Sequence, residues 1–221
     1  MQKIDKSVAK IVSTKYKAWV GKLDKEGKQH EGSYRYYYDD VAMNLYKCQS
    51  GVCAYTEMYI CPAEMYGNAN WVNGRYKIPN DAEYKRIDHL GEMDHFDPEN
   101  KKTHYWNWDN LFMIEAKINS IKSNNKTAAF LKPDLADYSP EKYFDYDDET
   151  NRYVANTDIK DEAERKEIQT MIDEVLLLNH GVVRNERRDY IKGIKFKIDK
   201  GEPYTIDRFF TAVQWTIDGK P

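Results

Sequence analysis

The chain has 221 residues, a length that suits one well-buried domain or a small catalytic core with a helical extension. Hydrophobic residues make up 41% and charged residues 32%, as in a globular protein. The formal net charge of −3 argues against a free-standing DNA-binding protein, because a protein that grips nucleic acid alone usually shows a basic face. If the chain binds nucleic acid, either its basic residues cluster locally or a partner supplies part of the contact.

The sequence shows no signal for export or for membrane insertion. No apolar run approaches the roughly 18 residues of a membrane span, and residues 1–7 lead into no apolar segment. An odd number of cysteines in one short stretch is a poor disulfide framework and suits a reducing compartment. We therefore expect a cytoplasmic protein with no membrane partner.

Residues 1–45 form a basic N-terminal region. Apolar residues recur there at partial helical spacing as far as Gly21, and a turn-prone stretch follows at 24–32. The lysines of this region could contact phosphate, but the solvated face of a helix is the favoured interpretation. They are Lys3, Lys6, Lys10, Lys15, Lys17 and Lys22.

The three cysteines, Cys48, Cys53 and Cys61, fit zinc ligation poorly. A tetrahedral structural zinc needs four nitrogen or sulfur ligands, and three irregularly spaced thiols leave that set incomplete. We therefore expect no structural zinc, and cysteines packed as small apolar side chains.

Residues 62–91 read as an insertion that is rich in turn formers, with Asn73 and Gly74 among them. Three of its polar side chains could approach a substrate, or could equally lie at the surface. They are Lys85, Arg86 and His89.

The segment 92–122 holds five polar residues in a fixed order that suits one kind of chemistry. Metal-assisted cleavage of a phosphodiester needs hard oxygen ligands for a divalent cation, a neutral imidazole to take a proton from water, and a residue to hold the imidazole in place. The five are the pair Asp94 and His95 at the end of an apolar-flanked stretch, then Asn110 after an aromatic cluster, then Asn119 and Lys122 on a predicted helix.

This order resembles the HNH endonuclease family, in the HNN-type variant whose last position is Asn. The resemblance implies an α+β fold with a ββα-metal core, a two-stranded ribbon plus a helix, at residues 46–126 within a mostly helical surround. It implies that His95 is the general base and that Asn110 braces the loop behind it. It also implies that Asp94 and Asn119 are metal ligands, and that Lys122 lies near the substrate phosphate.

The chemistry of these residues supports the same interpretation. One carboxylate and one amide oxygen leave a cation much of its Lewis acidity and several waters, which suits Mg²⁺ or Mn²⁺. The neutral form of His95 can accept a proton from water near neutral pH. The simpler alternative makes Asp94 a helix or turn cap and His95 an ordinary surface or core histidine.

Residues 127–221 are predicted to form a helical C-terminal extension. An irregular, acidic and Tyr-rich arm at 132–153 comes first, and its carboxylates are more often solvated than metal-binding. A helix capped by Thr157 or Asp158 then runs to about Leu178. A second helix at 182–192 and a last amphipathic element at 207–217 complete the chain.

The helix at 182–192 is basic, and with the preceding Leu-Asn step it resembles the C-terminal part of Septu-type HNH proteins from bacterial anti-phage modules. Three of its side chains, Arg184, Arg188 and Lys192, are four residues apart, so they share one face and could track a phosphate backbone. The alternative is that Arg187 and Arg188 pair with the acidic helix at 161–174 and only hold the extension together.

We therefore expect a metal-dependent endonuclease that hydrolyses nucleic acid, DNA more than RNA, as an anti-phage defence or restriction effector. A protein partner, such as an ATPase subunit, is the second expected partner. The rival hypothesis is a non-catalytic nucleic-acid-binding or scaffold subunit built on the same ribbon.

Overall fold

Helices and short antiparallel strand pairs alternate along the chain in this computed structural model, which describes residues 1–8, 14–29, 32–85 and 88–221. Lys10 and Arg86 lie outside the described residues. The helices are α1 (Thr14–Lys25), α2 (Tyr38–Cys48), α3 (Pro98–Thr103), α4 (Ala116–Lys122), α5 (Glu162–Thr170), α6 (Gly181–Lys200) and α7 (Phe210–Asp218). The strands pair as β1 (Trp71–Val72) with β2 (Arg75–Tyr76), β3 (Gly91–His95) with β4 (Leu111–Glu115), and β5 (Phe144–Asp147) with β6 (Arg152–Ala155). The prediction of an α+β class is confirmed.

The strands β3 and β4 form an antiparallel ribbon that leads directly into α4. The register places His95 opposite Leu111 and Gly91 opposite Glu115. The side chain of Glu115 then accepts a hydrogen bond from the backbone N–H of Ile118 at 2.8 Å, which caps the first turn of α4. The chain therefore passes from strand to helix with no loop.

The strand β4 is buried, and a side chain completes the hydrogen bonding at its middle. Residues Leu111 to Ile114 are fully covered, which explains their uninterrupted apolar sequence. The buried amide of Gln49 donates to the carbonyl of Met113 at 2.7 Å and accepts from its N–H at 2.9 Å. Unpaired strand groups are costly when buried, and the backbone N–H of Ala54 donates to the same carbonyl at 3.0 Å, so Gln49 and Ala54 together complete the hydrogen bonding here.

Three distant segments meet at the buried carboxylate of Glu57. The amino group of Met1 lies 3.1 Å from Glu57, and the hydroxyl of Thr211 donates to it at 2.5 Å. The backbone N–H of Phe209 donates to the carbonyl of Glu57 at 3.0 Å. The N-terminus, the turn after Cys53 and the start of α7 are thereby joined in one core.

The arm at 132–153 is not irregular throughout, because it contains β5 and the start of β6, which pair as a hairpin. Phe144 and Tyr153 are buried core residues, and Asn151 takes up a positive φ of 54° at the turn between the strands. An Asn tolerates that conformation better than most residues, so the turn could have been recognised from the sequence.

The two long C-terminal helices also differ from the prediction. Neither Thr157 nor Asp158 caps the first of them; Asp161 does, by accepting from the N–H groups of Ala163 and Glu164. A π-helical turn follows α5 at Met171–Val175. Helix α6 is longer than predicted, and Gly201, with a φ of 67°, caps its C-terminus. Within the residues that the structure describes, no helix is long and apolar enough to cross a membrane.

Candidate functional site

Asp94 lies in a buried network with Lys122 and Tyr55. The ammonium of Lys122 lies 3.1 Å from Asp94 Oδ1 and donates to the carbonyl of His95 at 3.4 Å. The hydroxyl of Tyr55 donates to Asp94 Oδ2 at 2.5 Å, and burial raises the pKa of that hydroxyl, so it stays protonated. Burial also raises the pKa of Asp94, and the nearby Lys122 opposes that rise. Lys122 therefore acts as the counter-ion of Asp94, and its side chain has no exposed surface here with which to contact a phosphate.

Asn119 lies one helical turn away from Lys122 and contacts a different carboxylate. Its side-chain amide donates to Glu92 Oε2 at 3.0 Å. Because Glu92 and Asp94 are two apart on β3, their side chains leave the same face of the strand. The helix α4 is thus joined to β3 twice, through Asn119 at Glu92 and through Lys122 at Asp94. The structure brings Asp94 together with Lys122, and Asn119 together with Glu92.

His95 ends β3 and has its imidazole fixed by the loop that follows. Nε2 lies 2.8 Å from the carbonyl oxygen of Tyr105, and the two rings lie 4.5 Å apart in an edge-to-face arrangement. A carbonyl oxygen can only accept, so Nε2 carries the hydrogen and Nδ1 carries the lone pair. Burial lowers the pKa of His95 to about 4, hence the ring is neutral at neutral pH. The structure provides a neutral, oriented imidazole.

Asn110 holds the chain that leaves His95. Its Oδ1 accepts from the backbone N–H of Asp97 at 2.8 Å, and its Nδ2 donates to the carbonyl of Asp97 at 2.9 Å. Asp97 itself caps α3 by accepting from the N–H of Glu99 at 3.0 Å. These paired contacts are the geometry that a brace of the loop requires, whereas a catalytic consequence stays a prediction.

Replacing Asn110 by Ala should therefore destabilise the protein, by about 1–3 kcal/mol, because both backbone groups of Asp97 lose their partner near a buried site. Urea unfolding of Asn110→Ala against Asn125→Ala, an exposed amide three residues beyond α4, measures this effect. If the two variants were equally stable, the contacts with Asp97 would not be holding the loop.

Lys6 supports the turn that precedes Asn110, in contrast to the surface position expected for it. Its ammonium donates to the carbonyls of Trp108 and Asp109 at 3.1 and 3.3 Å, and pairs with Asp134 at 3.1 Å. It also lies 3.7 Å from the centre of the Phe112 ring. Burial lowers the pKa of Lys6 to about 8. The basic N-terminal region therefore contributes a core lysine, which net charge and spacing could not reveal.

The carboxylate of Asp94 and the amide oxygen of Asn119 are ligands of the type that a hard divalent cation prefers. Asp94 Oδ1 already has a cationic partner, the ammonium of Lys122. The amide nitrogen of Asn119 donates to Glu92, so the amide oxygen is the atom that could bind a cation. Mg²⁺ is commonly held by one or two carboxylates together with substrate phosphates and waters. Across the described ranges, no three His, Cys, Asp or Glu side chains are grouped closely enough to hold a metal between them.

The basic face of α6 lies at a groove of about 600 Å³ beside the β5–β6 turn. Arg184, Arg188 and Lys192 all line it, so the structure brings the three predicted residues together. The guanidinium of Arg184 is already used, since it donates to the carbonyl of Thr150 at 2.8 Å. Arg188 and Lys192 are exposed, and Asp148 also lines the groove.

Arg187 has a structural role, but its partners are not the acidic helix. Its guanidinium donates to both oxygens of Asn151, at 3.0 and 2.9 Å, and to the carbonyl of Leu178 at 2.9 Å. It is fully buried. Arg188 pairs with its own neighbour, Asp189. The extension is therefore held through the β5–β6 turn.

Sequence reasoning missed two residues that contact the predicted ligands. Tyr55 follows Cys53 in an apolar stretch, where it reads as an ordinary core aromatic. Glu92 lies two residues before Asp94, and strand alternation could have placed it on the same face. No signal in one sequence indicates the Tyr55 contact, because it joins residues 39 positions apart.

No protein-family model matches the chain, and no curated protein matches its sequence.

Proposed function

We propose that the chain is a metal-dependent phosphodiester hydrolase of the HNH type that acts on nucleic acid, DNA more than RNA. The observation that carries the proposal is the imidazole of His95, which is neutral, oriented by the carbonyl of Tyr105, and adjacent in sequence to Asp94 at the end of β3. The ribbon of β3 and β4 runs directly into α4, which carries Asn119 and Lys122, and this arrangement also supports the proposal.

His95 is the general base of this proposal. Nδ1 takes a proton from the attacking water, whose oxygen bonds to phosphorus while the bond from phosphorus to the leaving oxygen breaks. The carbonyl of Tyr105 accepts from Nε2–H throughout, so it orients the ring and stabilises the imidazolium that forms. A positioned base contributes about 10²–10⁴-fold to the rate, and the low pKa of His95 places it at the lower end of that range.

Asp94 and Asn119 are the residues that would hold Mg²⁺ or Mn²⁺. When bound, the ion supplies positive charge that offsets the charge developing on the phosphate and on the leaving oxygen. Tyr55 fixes the carboxylate by holding Oδ2, which leaves Oδ1 as the oxygen to bind the ion. Lys122 must then share Oδ1 or move away from it.

The buried pair of Asp94 and Lys122 favours one rival function. If Lys122 is the permanent counter-ion of Asp94, the ribbon is a non-catalytic unit that binds nucleic acid or a partner protein. In that case the neutral His95 is a satisfied core residue, and a divalent ion has no effect.

One assay separates the two functions. Purified protein is incubated with supercoiled plasmid and with RNA, in Mg²⁺, in Mn²⁺ and in EDTA. Nicking or degradation in Mg²⁺ or Mn²⁺, and none in EDTA, is the expected result. Substrate binding without cleavage under any of these conditions would instead favour the non-catalytic unit.

The exposed cations of α6 should contribute to substrate binding through phosphate contacts. Replacing Arg188 and Lys192 together by Ala should flatten the dependence of log Kd on log salt by about two units for duplex DNA, since each lost phosphate contact removes roughly 0.9. Thermal stability should change little, because both side chains are exposed.

Filter binding in EDTA at several salt concentrations measures that slope, and Lys166→Ala with Lys160→Ala, exposed cations of the α5 region, is the matched control. An unchanged slope with a lowered melting temperature would show that Arg188 and Lys192 have a structural role.

A defence role with an ATPase partner is part of the same proposal. That partner would supply the remaining contacts with nucleic acid.

A further inference from the structure

A cavity of about 360 Å³ lies between the β3–β4 connection and residues 126–135. Asp97 and Asn110 form part of its wall, and these are the two residues whose paired hydrogen bonds hold the chain leaving His95. A molecule in this cavity would therefore lie against the loop that positions the proposed base. Its volume is within the range of small-molecule sites, about 300–1,000 Å³.

The lining combines apolar side chains with carboxamides. Phe96, Ala129 and Leu135 supply the apolar surface. Asn100 and Asn107 supply amides, each of which can both donate and accept. A flat heteroaromatic ring with an apolar face and hydrogen-bonding edges matches this combination, and an unstacked nucleobase is such a ring.

A buried hydroxyl in the same wall has no hydrogen-bond partner. Thr127 is only 2% exposed, and its Oγ1 contacts no donor or acceptor among the described residues. Buried polar atoms are satisfied in nearly all proteins, and an exception calls for a missing partner. This observation is independent of the shape of the cavity, and it marks a hydrogen-bonding position in the wall that no described residue fills.

The charges at the cavity are divided between its two sides. Lys126 and Lys132 lie on one side, and Asp97 and Asp109 on the other. Lys132 is paired with Asp134 at 2.7 Å, whereas Lys126 is exposed and has no ion-pair partner within the described ranges. An attached phosphate would therefore lie toward Lys126, and the base would extend inward.

We propose that this cavity is a subsite for one unstacked nucleobase of the substrate strand, close to the bond that is cleaved. The proposal names how the substrate is held and rests on the proposed function. It predicts that the chain prefers single-stranded or distorted nucleic acid at this position, because a base inside an intact duplex cannot enter a cavity.

Binding of short oligonucleotides in EDTA tests the subsite without any cleavage. The probes are a labelled single-stranded pentamer and the same pentamer with an abasic central residue, so that charge and length are equal. Wild-type protein should bind the complete pentamer about tenfold more tightly, as expected when one base is sheltered by protein. Ala129→Trp fills the cavity and should remove this difference, while Ala163→Trp, an exposed alanine on α5, should keep it.

Equal affinity of wild-type protein for both pentamers, or no binding of either, would overturn the subsite. A preference that survives in a folded Ala129→Trp would overturn it too. Thr127→Val keeps the side-chain volume and removes the hydroxyl, so it should reduce the difference if Ala129→Trp fails to fold. Plasmid cleavage with equal pentamer affinities would refute only the subsite, whereas a base preference without cleavage in any metal would refute only the hydrolase.

Discussion

Replacing His95 by Ala should reduce cleavage by about 10²-fold, because the proposed reaction loses the base that takes the proton from water, and a base with a pKa of about 4 acts at the lower end of the range. The hydrogen bond to the carbonyl of Tyr105 is lost with it, but the paired contacts of Asn110 with Asp97 remain and keep the loop in place. Single-turnover cleavage of plasmid in Mg²⁺ measures the effect, with circular dichroism to verify the fold.

The chain offers a close control for this variant. His104 lies in the same connection between β3 and β4, but it is exposed and its ring contacts the hydroxyl of Thr103. His104→Ala should cleave at nearly the wild-type rate. If His95→Ala did so as well, His95 would be a core histidine and the base would have to be sought elsewhere.

Replacing Lys122 by Met should lower the free energy of unfolding by about 3–5 kcal/mol, since it leaves the carboxylate of Asp94 buried without its counter-ion. Tyr55 continues to donate to Oδ2, although one neutral hydroxyl does not balance a buried charge. The loss should shrink as the pH falls, because burial raises the pKa of Asp94 and a protonated carboxyl needs no counter-ion. Urea unfolding at two pH values measures both effects.

Two further variants identify the source of that loss. Lys126→Met removes an exposed lysine four residues later and should cost little. Combining Asp94→Asn with Lys122→Met removes both charges and should restore most of the stability, as found when whole buried pairs are replaced. A double variant as unstable as Lys122→Met would mean that the packing of the lysine stem, and not its charge, stabilises α4.

The ribbon, the helix after it and the turn at Asn73 and Gly74 could be predicted because each depends on neighbouring residues. Apolar runs indicate strands, and Asn-Gly steps favour positive φ, observed here at 52° and 76°. The position of Asn110 at the loop after His95 follows from residue order alone. A catalytic role for these residues stays a prediction.

The contacts of Lys122, Tyr55 and Lys6 could not be predicted, because each joins segments distant in sequence. A lysine in a polar helix reads as a surface residue, and only the packing of α4 on β3 shows that Lys122 is buried beside Asp94. The β5–β6 hairpin was hidden for a different reason. Its acidic residues suggested a solvated arm. In the structure, Phe144 on β5 and Tyr153 on β6 point into the core, because side chains along a strand alternate between its two faces.

Calorimetric titration of Mn²⁺ into protein without substrate tests the central claim, that Asp94 and Asn119 hold a divalent cation. Wild-type protein should bind one ion per chain, and Asn119→Ala should bind it several-fold more weakly. The double variant Asp94→Asn with Lys122→Met should not bind it, while Asp81→Asn, which changes an exposed carboxylate, should bind as wild type does. Equal affinity in wild type, Asn119→Ala and the double variant would contradict the claim.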